Sequence, residues 1–295
     1  MTNNPAFDAA CEGGVIDTFL SLPKPKEALR DSYSWVTANA MDKESKEMDM
    51  PAEYMFKGVP KYEEITDPVD MALAEMDRFN ISKMLIGVDR TEGAKRAYVE
   101  HPDRFFGFAN VDPNTGMEGV RSLEERVKEF GLKCAHVFPA GLVPPVAIND
   151  KKMYPLYAKC VELNIPIVTY VGVPGPRIPM DTQQVAMLDE VCWFFPELKI
   201  ITRHGGEPWT ALMVKLLLKW PNLYYSTSAF SPKHYPQDII DFANTRGADK
   251  ILYAGYYAAG LSLERIFSEL PDVPFRDHVW PKFLRENAQR VFELD

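Results

Sequence analysis

Eight apolar runs of strand length, each separated from the next by a stretch long enough for a helix, constrain this chain more than any other feature. The runs cover residues 14–20, 81–88, 104–111, 132–138, 165–171, 198–203, 222–227 and 250–255. Helices are expected over 68–79, 91–100, 117–130, 153–163, 183–195, 208–219 and 237–245, with two more, 261–269 and 281–293, after the last run. The runs do not alternate cleanly between apolar and polar residues, which is the pattern of parallel strands buried on both faces. Parallel neighbours need crossover connections, and the intervening helices supply them. Eight such units close naturally into a (β/α)8 TIM barrel. The rival is an open doubly wound sheet, which usually carries a glycine-rich turn after its first strand. Here that turn reads Asp17-Thr18-Phe19-Leu20-Ser21, without glycine. At 295 residues the chain fits one α/β domain spanning 1–295, with a C-terminal helix.

One segment breaks the pattern. Residues 21–66 join the first strand to the next helix and are far longer than an ordinary connection. They carry Tyr33, Trp35, Met41, Met48, Met50, Tyr54, Met55 and Phe56. Apolar groups in so long a loop point to a lid over the barrel mouth or to a subunit contact, against the plainer alternative of a satellite core. Together with residues 224–230 they offer surface for a homodimer.

The net charge of −9 and the lack of a basic run argue against nucleic acid and anionic membranes as partners. No run approaches the roughly 20 apolar residues that a membrane helix needs. Residues 1–14 are polar and lack the apolar core of a signal peptide. The four cysteines are scattered without CxxC spacing and read as reduced thiols. The expectation is a cytoplasmic protein with a small-molecule substrate.

Thr202-Arg203-His204-Gly205-Gly206-Glu207-Pro208-Trp209 follows the sixth run directly. A guanidinium and an imidazole therefore stand where a strand ends and a Gly-Gly turn begins, the end of a barrel strand at which chemistry occurs. With Phe195-Pro196-Glu197-Leu198-Lys199 before it, this phrase resembles the "FPxLKxxxxHxG" element of the amidohydrolase-2 family. Arg104–Pro113, with Asn110-Val111-Asp112-Pro113 at its end, resembles that family's third strand, and Gly131-Leu132-Lys133 with Pro139 its fourth. Tyr154-Pro155-Leu156-Tyr157-Ala158 and Ile165-Pro166-Ile167-Val168 resemble the fifth helix and strand. Asn287-Ala288 and Val291-Phe292 resemble the closing "NAxRLF" helix. The resemblance spans nearly the whole chain and implies a barrel related to decarboxylases of aminocarboxymuconate semialdehyde and resorcylate and to lactone hydrolases.

It also implies a divalent metal, held by an "HxH" pair after strand one, a histidine after strand five and an aspartate after strand eight. This chain departs at each of those positions. The pair aligns with Phe19 and Ser21, the strand-five histidine with Tyr170 and the aspartate with Tyr256. Only His204 remains. A catalytic zinc-type site takes about three protein ligands from His, Cys or carboxylate. Phenylalanine has no lone pair, and serine and neutral tyrosine are poor ligands. Neither a catalytic metal nor another cofactor is expected, although His136, within strand four, can face the barrel interior.

The remaining candidates sit at or near strand ends. His204 is the general acid or base. Tyr170 and Tyr256 are oxyanion donors or fillers of the space left by lost ligands. Asp17 is a catalytic carboxylate or a partner holding the first loop. Glu207 orients the imidazole or relays its proton. Arg203 or Arg177 grips a carboxylate as a fork, each with an outward-facing alternative. Phe19, Tyr257 and Trp209 complete the substrate-binding set, with Ser226, Ser228 and His234 as lesser rim positions. Phenols in place of metal ligands substitute hydrogen-bond polarisation for Lewis acidity. That favours a metal-independent lyase, decarboxylating or cleaving a C–C bond in a small carboxylated or ring-derived compound. The alternatives are a metal-free hydrolase of an activated ester or lactone and a non-catalytic ligand-binding barrel.

Overall fold

The computed structural model of the chain describes residues 2–19, 21–34, 40–62 and 64–295. Leu20, at the end of the expected first strand, and Trp35, in the long insertion, lie outside the described residues. Each apolar run contains one strand: β1 (Val15–Asp17), β2 (Ile81–Gly87), β3 (Phe105–Asn110), β4 (Cys134–Val137), β5 (Ile167–Tyr170), β6 (Ile200–Arg203), β7 (Leu223–Ser226) and β8 (Ile251–Leu252). They pair in sequence order, every pair parallel. The fold is a (β/α)8 TIM barrel. The strands are shorter than the runs because the flanking residues bend into loops while staying buried.

The period of two along each strand sorts its side chains. One set, Ile16, Leu85, Phe106, Phe108, Cys134, Val168, Ile201, Tyr224 and Leu252, fills the barrel interior together with Ala288, Val291 and Phe292 of the C-terminal helix Asn287–Phe292. Lys199, which immediately precedes β6, pairs with Glu293 at 2.8 Å, so this helix closes the end of the barrel at which the strands begin. The opposite set, including Met84, Ala135, Ile167, Ile200 and Tyr225, packs outward against the helices. The helix Met117–Phe130 ends on Gly131 in the left-handed region, φ 64°, where glycine carries no Cβ penalty.

Residues 1–14, read in sequence only as polar, contain a helix, Pro5–Glu12. Asn4 caps it by accepting from Phe7 N–H at 3.0 Å, and Pro5 stands at its first position. Its Phe7 is buried edge-on against Trp280, ring centroids 5.1 Å apart. Of residues 224–230, expected to offer surface for a second copy, Tyr224 to Ser228 are buried in β7 and its loop, and Ala229 and Phe230 are partly exposed. The four cysteines are unpaired, three of them buried. No helix among the described residues is long and apolar enough to cross a membrane.

The seam between β8 and β1 is tied by specific bonds. Thr18 N–H and Oγ1–H both donate to Tyr253 O, at 3.1 and 2.7 Å. Asp17 Oδ1 accepts from Phe19 N–H and Gly255 N–H, both at 2.9 Å. A Cβ at position 255 would stand 2.6 Å from Asp17 Oδ2, so only glycine lets the two chains meet. Asp17 is fully buried, and burial pushes its carboxyl up to about 7, outweighing the two N–H donors and the nearby Arg203. The folded protein therefore holds this proton more tightly than the unfolded chain. The stability it contributes is complete below pH 3.8 and is lost as pH rises towards about 7. Asp17→Asn keeps the Oδ1 acceptor and removes the titration. Urea unfolding at pH 4 and pH 8 should show the variant gaining on wild type as pH rises, by on the order of 1–4 kcal/mol. An unchanged difference would show that Asp17 does not hold its proton in the fold.

Candidate active site

Above the interior layer the same alternation lifts the next inward residues towards the strand ends. His136 follows Cys134, Tyr170 follows Val168 and Arg203 follows Ile201. Over them opens a cavity of about 1110 Å³, ample for a single-ring compound. Phe19, Ser21, Tyr170 and Tyr256, the positions aligned with metal ligands, all line it, together with His204. The His204 ring is met edge-on by Tyr170 at 4.5 Å and Tyr256 at 5.2 Å between centroids, with Phe19 at 6.1 Å. Phe56, from the insertion, stacks on Tyr256 at 5.5 Å. His204 and Tyr256 both sit in the left-handed region, φ 61° and 63°, a strained conformation for non-glycine residues and one that clusters at functional sites.

Ser228 holds His204. Its Oγ accepts from the His204 backbone N–H at 3.2 Å and lies 2.9 Å from Nδ1. Burial, and then the Arg203 charge, push the imidazole down to about 3, so it is neutral throughout the physiological range. Burial likewise keeps the Tyr256 hydroxyl protonated, well above the usual phenol range. Glu207, expected to orient the imidazole, lies exposed on the cavity rim. Gly205 and Gly206, φ 84° and 77°, turn the chain so that Glu207 O accepts from Val173 N–H at 2.9 Å.

Arg203 faces inward, in phase with Ile201, yet lies beneath the cavity rather than on its wall. It is 1% exposed, donates to Thr18 O at 2.9 Å and to the Tyr170 hydroxyl, and lies over the Phe19 and Phe108 rings. Asp17, out of phase with Ile16, belongs to the β1–β8 seam and does not line the cavity. Arg177 is engaged elsewhere: it bridges Asp42 at 2.9 Å and Glu44 at 2.8 Å and lies over the Tyr54 ring. Tyr54 Oη also donates to Gly175 O at 2.7 Å, so these contacts pin the insertion to the loop after β5. Tyr257 is buried with its hydroxyl bonded to Tyr62, and Trp209 starts the helix Thr210–Lys219; neither lines the cavity. Ser226 is buried away from it, and His234 stands at its rim.

Two cavity residues escaped the sequence reading. Lys24, after β1, and Arg90, after β2, line the wall, and neither forms an ion pair with any described residue. Burial, followed by repulsion from Arg90, pushes the Lys24 ammonium down. The rule that singled out His204, a polar residue just beyond a strand end, applies to both. His136 also lines the cavity, 2% exposed, with its proton affinity lowered by burial and by Arg203 and Arg90. The sequence placed it facing the barrel interior but gave it no role.

The sequence pattern of the amidohydrolase-2 family, described as amidohydrolase, matches residues 22–294. No curated protein matches the chain. Among solved structures, an uncharacterized TIM-barrel protein of Bordetella bronchiseptica is 19% identical with a TM-score of 0.72, over 95% of this chain and 99% of that one. The 2,6-dihydroxybenzoate decarboxylase of Rhizobium is 19% identical with a TM-score of 0.63, over 96% and 99%. The 5-carboxyvanillate decarboxylase of Novosphingobium aromaticivorans, solved with bound manganese and 4-hydroxy-3-methoxy-5-nitrobenzoic acid, is 15% identical with a TM-score of 0.63, over 95% and 96%. The residues here do not fit such a cation. Among the described residues no three His, Cys, Asp or Glu groups cluster to hold one, and the rings that surround His204 are one phenyl and two phenols.

Because the folded imidazole takes its proton later than the unfolded one, His204 stabilises the fold above pH 6.5, and that contribution is lost as pH falls towards about 3. Its Cε1–H resonance should stay fixed between pH 5 and 8. A midpoint near 6.5 in that signal would contradict the buried, cation-shadowed placement.

Proposed function

Because the chain belongs to the amidohydrolase-2 family, and so to enzymes of lyase or hydrolase type, we propose that it is a metal-independent lyase that removes CO2 from, or otherwise cleaves a C–C bond in, a small carboxylated ring compound. The observation that carries this reading is a pair of unpaired cations, Lys24 and Arg90, on the wall of a cavity floored by aromatic rings. Decarboxylases of aromatic acids among the similar structures support the same substrate class.

Lys24 and Arg90 take the place of Arg203 and Arg177 as the carboxylate anchor, since charge-assisted bonds need cations that face the ligand and are not already engaged. The ring lies against Phe19, Phe56 and Tyr256. In an aromatic ring the C–C electron pair lies in the ring plane, so the ring carbon takes a proton first, an oxygen conjugated with it supplying the electrons as it becomes carbonyl-like, and CO2 then leaves as the C–C pair returns to the ring. Tyr170 accepts a hydrogen bond from Arg203, which sharpens its own O–H as a donor to such an oxygen. His204 is neutral in the free enzyme. An anionic substrate beside it raises its proton affinity, so the bound carboxylate itself prepares His204 for acid–base work. A proton replaces CO2 on the same carbon, and the products are the decarboxylated ring and CO2.

Lys24→Met and Arg90→Met should each raise KM for the carboxylated substrate about 10- to 100-fold, the value of a hydrogen bond to a charged group. His204→Ala should abolish turnover while leaving the circular dichroism of the barrel unchanged. The assay is release of CO2, made with protein purified without a metal-binding tag and analysed for metal. Stoichiometric manganese or zinc, or label from H2(18)O appearing in a product carboxylate, would overturn the metal-independent lyase.

A further inference from the structure

We propose that His136 is a specificity-determining residue, a hydrogen-bond acceptor of fixed tautomer that selects a substrate carrying a hydroxyl or N–H donor, paired with His204 as a fixed donor in the same cavity. The proposal rests on the reading of the cavity as a site for a carboxylated ring compound, and it adds a second feature to that compound.

The tautomer of His136 follows from a chain of bonds. The Asp89 carboxylate is paired with Arg126 and can only accept. Asn110 stands 3.0 Å from Asp89 Oδ1, so it must present its Nδ2–H2 there. Its Oδ1 then faces His136 Nδ1 at 2.9 Å, and Nδ1 must carry the proton. Arg126 also donates to Asn110 O at 2.7 Å, fixing the backbone that carries this amide. Nε2 of His136 is left as a bare acceptor, buried and without a partner among the described residues. Phe108 and Tyr170 pack on the ring at 4.7 and 5.3 Å. The donors of Arg203 are directed at Thr18 O and the Tyr170 hydroxyl.

His204 has the opposite tautomer. Ser228 is fully buried, and its Oγ already accepts from His204 N–H. No other acceptor among the described residues takes its hydroxyl proton, so Oγ–H donates to Nδ1, and Nε2 bears the hydrogen. Both imidazoles meet the Tyr170 ring, whose centroid is 5.3 Å from His136 and 4.5 Å from His204. A ligand matched to both offers an oxygen acceptor to His204 and a hydrogen-bond donor to His136. A ligand lacking that donor leaves the His136 acceptor unmet in a site shielded from water, which is how polar sites reject analogues.

The test has two arms. Long-range 1H–15N spectra of protein labelled with 15N-histidine, assigned with His136→Phe and His204→Phe, should show His136 protonated on Nδ1 and His204 on Nε2. The same tautomer on both overturns the proposal. In the second arm, calorimetry compares benzoate, the three hydroxybenzoate isomers and their methoxy counterparts. At least one hydroxy isomer should bind wild type about tenfold tighter than its methoxy partner. In His136→Phe, and more mildly in Asn110→Ala, that preference should fall to within about twofold while benzoate binding persists. A preference that survives His136→Phe, or none in wild type that binds benzoate, defeats the role of His136 alone. Failure of every carboxylated probe to bind defeats the carboxylated-ring reading and this proposal with it.

Discussion

A guanidinium without an ion pair among the described residues lies at the centre of this barrel, and the site depends on how the fold tolerates it. Arg203 is 1% exposed, and isolated burial of a charge is costly. Its compensation is distributed: the Thr18 carbonyl, the Tyr170 hydroxyl and the faces of Phe19 and Phe108. Those partners come from β3, β5 and the loop after β1, so this one side chain fixes the relative placement of strands that are not neighbours. Asp17 lies close enough to feel the charge, yet its carboxyl is still pushed up to about 7, because desolvation outweighs attraction.

The same charge sets the chemistry above it. Arg203 contributes to lowering the proton affinity of both His136 and His204, after burial itself. Two neutral imidazoles and the Tyr170 phenol therefore line the cavity. Neutral donors and acceptors are directional in a way a metal is not. The aromatic residues Phe19, Tyr170 and Tyr256 are part of this arrangement, as rings packed around His204. Lys24 and Arg90 add positive charge to the wall.

The insertion adds the remaining wall. Met48 and Met50 are buried, while Met41 and Met55 are exposed, so its apolar residues split between a local core and the surface. Its connection to the β5 loop runs through Arg177, Asp42, Glu44 and Tyr54. The Asp42 carboxyl is held down to about 2, by its cap bonds to Ser45 first and then by Arg177. An arginine that looked like a substrate clamp thus acts between two loops, and nothing in its immediate sequence distinguishes the two roles.

The sequence by itself determined the barrel. Eight buried runs with helices between them leave few other ways to bury parallel strands, and the observed strands fall inside those runs. It also placed His204, Tyr170, Tyr256 and Phe19 together, because strand ends in a closed barrel must converge. Phase was legible too, though only with the interior layer known: Ile201 and Arg203 share a face, as do Cys134 and His136. What the tertiary structure alone decided was depth and partnership. Arg203 and His136 point the same way, yet one lies under the cavity and the other on its wall, according to side-chain length and the rings that pack beside them. Lys24 and Arg90 came to line one cavity, and Arg177 to latch two loops, the latter through contacts more than a hundred residues apart in sequence. Local pattern carries periodicity, but which cation finds a carboxylate is a property of the assembled surface.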